Sequence, residues 1–299
     1  MKKGILALLI TCVASFSYAC DEHGKTGIVE DNNLWIPSNV KGINTITEGE
    51  FNSIIDKIEA IYAPIIEAKG KTLEIERKWD DGTVNAYAQQ VGNTWKVSMF
   101  GGLARHETIT GDGFATVVCH ELGHHLGGAP KKSSWWGSSW ASNEGQADYF
   151  ATSKCLRKYM ENDNNIKMMN EVEVPAIAKE SCAKNFVNEN EYAMCLRGSM
   201  AGMSLANLFR ALRNLTTDLK FDTPDSNVVS RTNHNHPAPQ CRLDTYYQGA
   251  LCTIDAYTDL SDSDVNTGAC NRDENFTNGL RPLCWFKPGE QIVEGQAQL

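Results

Sequence analysis

The sequence lacks several features that define large classes of proteins. After its first twenty residues it has no long hydrophobic run, so we expect that the mature chain does not cross a membrane. It has no cluster of Lys and Arg, and its net charge is -9, which argues against a nucleic-acid partner. No repeat or low-complexity segment is present. With 41% hydrophobic residues over 299 positions, the chain is typical of a soluble globular protein with one large domain or two small ones.

The N-terminus has the pattern of a secretory signal peptide. Two lysines precede an apolar run over residues 4–13, and residues 17–19 provide the small side chains that a signal peptidase reads. We therefore expect residues 1–19 to be removed and the protein to be exported, to the bacterial periplasm or outer envelope or as a secreted protein. Cys20 follows the expected cleavage point, so a lipid anchor at Cys20 and a soluble form both remain open.

The cysteines support an exported protein. No Cys-x-x-Cys pair occurs, although that spacing is typical of structural zinc sites. If Cys20 carries a lipid, eight cysteines remain, enough for four disulfides whose pairing the sequence cannot choose. The alternative is that Cys119 is free. The eight are Cys119, Cys155, Cys182, Cys195, Cys241, Cys252, Cys270 and Cys284.

Hydrophobic periodicity predicts a mainly helical α+β fold. Thr47 and Glu50 form a capping-box pattern before a stripe of apolar residues, which predicts a helix that ends at Gly70. Between residues 71 and 100 the period changes to two, with turn signals at Asp81-Gly82 and Gly92-Asn93, as in a small antiparallel meander. Residues 131–140 are predicted as a loop. Further helices are predicted over residues 113–126, 143–160, 171–185 and 190–214.

The strongest functional signal is the sequence His120-Glu121-Leu122-Gly123-His124. On a helix, residues four apart share a face, so both imidazoles can reach one cation. Glu121 would lie beside the metal and could take a proton from a water molecule there. A chance pattern, or two histidines of the core, is the alternative explanation.

A catalytic zinc site needs a third protein ligand. In metzincins this ligand is a histidine six residues after the second one, but here that position is Pro130. Twenty residues after His124 comes the sequence Glu144-Gly145-Gln146-Ala147-Asp148. We predict that Glu144 binds the metal and that Asp148 accepts a hydrogen bond from a ligand histidine. Alternatively, this acidic pair would be a solvated helix start.

Four separated segments resemble the HtpX-like gluzincin family, which includes the CAAX prenyl endopeptidase. Asn85-Ala86-Tyr87-Ala88 resembles its Asn-Ala-aromatic-Ala strand. The segments at residues 120–124 and 144–148 are similar to its metal motif and its Glu-x-x-Ala-Asp motif. His236-Pro237, with Arg242 following, resembles its late His-Pro-(four residues)-Arg motif. The order and spacing of the segments agree with those of the family.

The resemblance implies a zincin-like fold, one zinc ion per chain and polypeptide substrates. It covers residues 47–245, which we assign as a zinc metallopeptidase domain. An irregular lead-in over residues 20–46 precedes this domain, and a cysteine-rich C-terminal cap over residues 246–299 follows it.

The resemblance also implies roles for residues outside the metal motif. His236 would stabilise the oxyanion of the tetrahedral intermediate, and Arg242 would support that corner of the site. The strand around residues 95–101 would be an edge strand to which a peptide adds antiparallel. His234 is a weaker candidate for the role of His236.

The remaining histidines and the tryptophans carry no predicted site role. His125 points away from the metal face and is interpreted either as a residue that supports the metal ligands or as a structural residue, whereas His106 and His23 are expected at the surface. Trp135, Trp136 and Trp140 form either an aromatic wall of the cleft or part of the local core.

These observations predict a zinc-dependent endopeptidase with Glu121 as general base. The resemblance to the family implies unfolded or misassembled envelope proteins as its substrates. One alternative is a latent or non-catalytic zinc-binding envelope protein with a chaperone-like role. Another is an enzyme whose Trp-rich loop (residues 131–140) or tail (the residues after Phe221) blocks its own cleft.

Overall fold

The computed structural model describes residues 25–40, 46–134 and 137–290, without the side chains of Lys25 and residues 133–138. Outside these residues lie the predicted signal peptide, Cys20, His23, Trp135 and Trp136. The described chain combines helices with a small sheet, which confirms the expected mixture of helix and strand.

The helices carry most of the core. They are α1 (Glu48–Glu67), α2 (Gly101–Ala104), α3 (Gly111–Leu126), α4 (Glu144–Phe150), α5 (Leu156–Met160), α6 (Asn165–Met169), α7 (Ala176–Asn185), α8 (Glu189–Leu212) and α9 (Pro239–Leu251). The strands are β1 (Lys25–Gly27), β2 (Thr72–Lys78), β3 (Ala86–Val91), β4 (Thr94–Phe100), β5 (Lys131–Ser134) and β6 (Gly137–Ser142).

Helix α1 packs against α3 and begins at the predicted capping box. The Thr47 backbone N–H donates to Glu50 Oε2 at 2.8 Å, and the Glu50 backbone N–H donates to Thr47 Oγ1 at 3.2 Å. Phe51 is fully buried against Phe114 of α3, with their ring centroids 4.9 Å apart. This apolar contact fixes the helix that carries the metal motif against the rest of the core.

The sheet has the strand order β1-β3-β4-β2, so the predicted meander is wrong in one pairing. Strands β3 and β4 are antiparallel as predicted, but β2 lies parallel to β4. The Asp81-Gly82 turn does not close a hairpin, because its carbonyls accept from the Gly102 and Ile36 backbone N–H groups at 2.9 and 2.8 Å. These hydrogen bonds hold the connection that crosses from β2, at one edge of the sheet, to β3.

Two further expectations about the sheet are wrong. Strand β4 is flanked by β3 and β2, so the strand around residues 95–101 is an interior strand and not an edge strand. The lead-in is not wholly irregular either, because β1 adds antiparallel to β3, with Thr26 opposite Ala88. Farther along the lead-in, the Ile36 carbonyl oxygen accepts a hydrogen bond from Arg105 Nη2 at 2.8 Å.

The predicted loop over residues 131–140 is a hairpin formed by β5 and β6. It leads into the helix expected over residues 143–160, which is present as α4, one π-helical turn over Ala151–Cys155, and α5. The Asn143 side chain caps α4 by accepting from the Gln146 backbone N–H at 2.9 Å.

Two of the disulfides lie in the helical part, one joins α9 to the C-terminal cap, and one lies within the cap. The pairs are Cys119–Cys155, Cys182–Cys195, Cys241–Cys284 and Cys252–Cys270. All eight predicted cysteines are therefore paired, and the alternative of a free Cys119 is wrong. Four such pairs are typical of an oxidising, exported compartment.

The double variant Cys119→Ala/Cys155→Ala should lower both stability and metal affinity. The bond closes a separation of 36 residues and joins α3, one residue before His120, to the turn after α4. We expect the free energy of unfolding to fall by about 2–4 kcal/mol, measured by denaturant titration. Cys182→Ala/Cys195→Ala is the control, because this bond has a separation of 13 and joins α7 to α8. An equal loss of metal affinity in both variants would contradict the prediction.

The C-terminal segment is tied to the helical part by α9. The segment is turn-rich and disulfide-linked as expected, but α9 spans the proposed boundary between residues 245 and 246. Trp285 in the tail is fully buried and donates from Nε1 to Thr245 Oγ1 at 2.9 Å. The tail therefore supports α9, which carries Arg242. Among the described residues, no helix is long and apolar enough to cross a membrane.

Candidate metal centre

Helix α3 presents both histidines of the motif to the interior. Thr110 caps it by accepting from the Gly113 backbone N–H at 3.0 Å, and Gly127 ends it. The rings of His120 and His124 lie on one face with centroids 4.7 Å apart and perpendicular planes. Both residues are 0% exposed, so the helix delivers two imidazoles to one buried site.

Glu144 at the start of α4 completes a group of three residues that could hold a metal ion. One ligand atom each from His120, His124 and Glu144 lies within 4.8 Å of the other two. Glu144 Oε2 is 3.3 Å from His120 Nε2, and Glu144 Oε1 is 3.8 Å from His124 Nε2. The three residues predicted from the spacing are thus brought together by the fold.

The close approach of α3 and α4 depends on Gly123. A Cβ atom at this position would be 3.0 Å from both the Cα and the carbonyl oxygen of Ala147. The missing side chain therefore lets the two backbones meet, which brings Glu144 within reach of the histidines.

Close polar contacts orient the two imidazoles. His120 Nδ1 is 2.7 Å from Asp148 Oδ1, and His124 Nδ1 is 2.8 Å from the Ser142 carbonyl oxygen. Each contact suits an Nδ1–H donor and leaves the Nε2 lone pair for a metal. Asp148 therefore occupies the position predicted for it.

Arg242 and Tyr246 on α9 hold Asp148 in place. Arg242 donates from Nε and Nη2 to the two carboxylate oxygens of Asp148, each at 2.8 Å. Tyr246 donates to Asp148 Oδ1 at 2.5 Å. All three side chains are buried, so Arg242 acts on the site through this carboxylate.

The electrostatics of the site set the protonation states of its three ligand candidates. Burial lowers the pKa of His124 well below its usual value, so this imidazole is neutral, as a metal ligand must be. Burial alone would raise the pKa of Glu144, but the nearby side chains of His236 and Lys132 outweigh it and hold the pKa well below its ordinary value. Burial also opposes the charged form of His120, yet the Asp148 carboxylate raises its pKa to about 9, so a metal ion would have to displace a proton from this imidazole.

Glu121 has the properties expected of a group that exchanges protons. It is 0% exposed, and neither of its carboxylate oxygens has a hydrogen-bond partner among the described residues. Burial raises the pKa of Glu121 to about 8. A cation nearby would favour the ionised form, so the residue could titrate near neutral pH.

His236 reaches the site from the loop before α9. Its Nε2 atom is 3.3 Å from Glu144 Oε2 and donates to the Gly27 carbonyl oxygen at 2.8 Å. His234 instead lies 3.4 Å from the Asn143 side-chain amide. The fold therefore brings His236 and not His234 to the metal group.

Two residues at the site were missed by sequence reasoning. Thr26 Oγ1 is 3.2 Å from His124 Nε2 and donates to Glu144 Oε1 at 3.0 Å. Lys132 is buried and its Nζ atom is 2.6 Å from Glu144 Oε1. Thr26 had one weak signal, the apolar pair Ile28-Val29 that follows it closely in the lead-in. Lys132 had none, because it lies in a segment read as a loop.

Other predicted positions have structural surroundings. His125 is buried between Trp95 and Trp140, whose rings stack on it with centroids 5.1 and 4.7 Å away. The expectation that His106 is a surface residue is wrong, because it is 7% exposed and its Nδ1 contacts Thr108 Oγ1 at 2.9 Å.

The donor set fits a divalent metal ion. His120 Nε2 and Glu144 Oε2 are buried without a hydrogen-bond partner among the described residues, although buried polar atoms are normally paired. Two imidazoles and one carboxylate are ligands that zinc accepts in catalytic sites. A second cluster contains Cys241 and Cys284 beside Asp225, but its sulfurs form a disulfide and offer no thiolate.

Comparison with known proteins returns no matching protein-family model, no matching curated protein and no matching solved structure. The resemblance to the HtpX-like gluzincins therefore rests on the four short sequence segments alone.

Proposed function

We propose that the protein is a zinc-dependent endopeptidase of the HtpX-like gluzincin type, with a zincin-like fold and one zinc ion per chain. The supporting observation is the geometry around α3. Three buried metal-binding side chains converge, and the unpaired carboxylate of Glu121 lies one residue after the first ligand. The four disulfide pairs support a location in the bacterial envelope or outside the cell, with Cys20 as the point of any lipid anchor.

Glu121 is assigned as the general base. A zinc ion held by His120, His124 and Glu144 would polarise the scissile carbonyl and lower the pKa of a water molecule. Glu121 then takes a proton from the attacking water and passes it to the amine that leaves when the peptide C–N bond breaks. The buried position of Glu121 suits this role, because burial raises its pKa to about 8, near neutral pH.

We assign His236 as the group that stabilises the developing oxyanion. Its Nε2 atom already donates to a backbone carbonyl oxygen beside the metal group, which is the contact that an oxyanion would need. Arg242 holds Asp148 against His120 and so keeps the first imidazole oriented. Unfolded or misassembled envelope proteins are the proposed substrates, since an extended backbone can add to the edge of a sheet.

A non-catalytic zinc protein with a chaperone-like role is the alternative. Structural zinc sites are usually closed by four protein ligands. The group here offers three, and a buried carboxylate without a partner beside them is costly in a site that performs no chemistry.

Removal of the metal should abolish hydrolysis, and zinc should restore it. Wild-type protein is dialysed against a chelator, and cleavage of reduced casein is followed before and after one equivalent of zinc is added. We expect no cleavage without metal and recovery with zinc, together with a higher melting temperature because the ion binds only the folded state. Unchanged cleavage by protein that elemental analysis shows to be zinc-free would refute the proposal.

A further inference from the structure

The metal group is closed to any peptide in this conformation. Glu121 and the three metal-binding residues are all 0% exposed. A peptidase must bring a peptide bond to these atoms, so the segment that covers them has to move. Strand β1 (Lys25–Gly27) is the part of the lead-in that lies against them.

Strand β1 is bound in the way in which extended peptides bind to sheets. It pairs antiparallel with the edge of β3, with Thr26 opposite Ala88 and Gly27 opposite Tyr87. Addition of a strand to a sheet edge is a common mode of peptide recognition, because it uses main-chain hydrogen bonds and tolerates many side chains. The position of β1 on β3 is therefore suited to an extended polypeptide of varied sequence.

The groups that β1 engages are the polar groups of the site. The Thr26 hydroxyl lies between His124 Nε2, at 3.2 Å, and Glu144 Oε1, at 3.0 Å. The Gly27 carbonyl oxygen accepts from His236 Nε2 at 2.8 Å. Both contacts involve atoms that the proposed mechanism needs for metal and substrate.

The next two residues anchor the chain differently. Ile28 is fully buried in the main core, and the Asn85 side chain bonds both the N–H and the carbonyl of Val29, at 3.3 and 3.2 Å. Residues 25–27 can thus leave β3 while Ile28 and Val29 keep their core contacts. Gly27 is where the two parts meet.

We propose that Lys25–Gly27 is an internal blocking strand that occupies the place of an extended peptide on β3, so that a substrate binds by replacing it. This inference rests on the proposed peptidase function. It assigns the covering role to the lead-in, whereas the alternative considered from the sequence assigned it to the Trp-rich loop or the tail.

Gly27→Val tests this proposal in the full chain. A Cβ atom at Gly27 would be 3.0 Å from the Tyr87 ring and 3.1 Å from Asn85 Oδ1, so valine should push β1 away from β3. Gly49→Val is the matched control, because Gly49 is exposed on α1 and its Cβ would have only Thr47 Oγ1 at 4.0 Å.

The first readout is binding without turnover. Each variant carries Glu121→Gln and is loaded with zinc, and the probe is a fluorescein-labelled peptide with the sequence of residues 24–31 (Gly-Lys-Thr-Gly-Ile-Val-Glu-Asp). If the strand covers the site about 90% of the time, its release should tighten binding about tenfold in fluorescence anisotropy. Gly49→Val should bind like the parent protein. Hydrogen exchange at residues 86–91 reports whether β1 has left β3, and melting curves report folding.

Equal peptide affinity in a folded Gly27→Val protein whose β3 amides have become exposed would overturn the proposal. If β3 remains protected, the double variant Thr26→Ala/Gly27→Val also removes the hydroxyl contacts, and the same comparison applies. If this variant also keeps β3 protected, β1 is a permanent strand and the proposal is wrong.

Hydrolysis by chains that retain Glu121 separates the blocking-strand proposal from the proposed peptidase function. Tighter binding without hydrolysis in any variant would keep the blocking strand and refute the peptidase. Casein cleavage that needs Glu121 but does not increase in a folded variant whose β3 amides have become exposed would keep the peptidase and refute the blocking strand.

Discussion

Glu121→Gln is expected to reduce the hydrolysis of reduced casein by about a thousandfold or more while zinc remains bound. Glutamine has nearly the same shape as glutamate but cannot take a proton from water. The metal group does not include Glu121, so His120, His124 and Glu144 keep their positions. Turnover is measured by the release of free amines, and zinc content by elemental analysis of the same sample.

A contaminating protease would be the explanation if the variant and the wild type cleaved casein equally. Glu76→Gln is a suitable control, because Glu76 is a partly exposed carboxylate on β2 that pairs with Lys96 at 2.6 Å. It removes a negative charge outside the metal group and should leave turnover unchanged. Loss of zinc from Glu121→Gln would instead mean that this carboxylate belongs to the metal group.

Asp148→Ala is expected to lower the free energy of unfolding by about 3–5 kcal/mol, because it leaves the buried guanidinium of Arg242 without its carboxylate. It also removes the partner of His120 Nδ1, so zinc affinity should fall by about 10–100-fold. Unfolding is measured in denaturant on metal-free protein, and affinity by competition with a chelating dye.

Asp163→Ala is a control that separates the loss of stability from the loss of zinc affinity. Asp163 also pairs with a buried arginine, since its Oδ2 atom is 3.0 Å from Arg197 Nη1. This pair is not part of the metal group, so the control should lose stability but not zinc affinity. Zinc affinity that stays at the wild-type level in folded Asp148→Ala would show that Asp148 does not orient His120.

The residues of the metal group could be predicted because the patterns that identify them lie within short stretches of sequence. The positions of His120 and His124 on one helix face follow from their spacing of four, and Thr47 and Glu50 mark the start of α1 in the same way. Glu144 and Asp148 are again one helical turn apart. Such patterns are set by helix geometry, which tertiary structure does not change.

The contacts that cover the site could not be predicted in this way. Thr26 and Glu144 are 118 residues apart in sequence, and no periodic pattern records their approach. The parallel pairing of β2 with β4 was missed for a similar reason, because a turn at Asp81-Gly82 gives the same local signal whether or not it closes a hairpin. The burial of His106 likewise depends on packing between distant segments.

The Cys119–Cys155 bond has a consequence for the timing of activity. It joins the residue before His120 to the turn that follows Asp148, so the two ligand-bearing helices are held together by a covalent bond that forms only under oxidation. A newly made chain in a reducing cytoplasm would lack this bond and would hold zinc less firmly. If the protein is the peptidase proposed above, the bond would tie maturation of its metal site to export, so that proteins in the compartment of synthesis would be spared from premature cleavage.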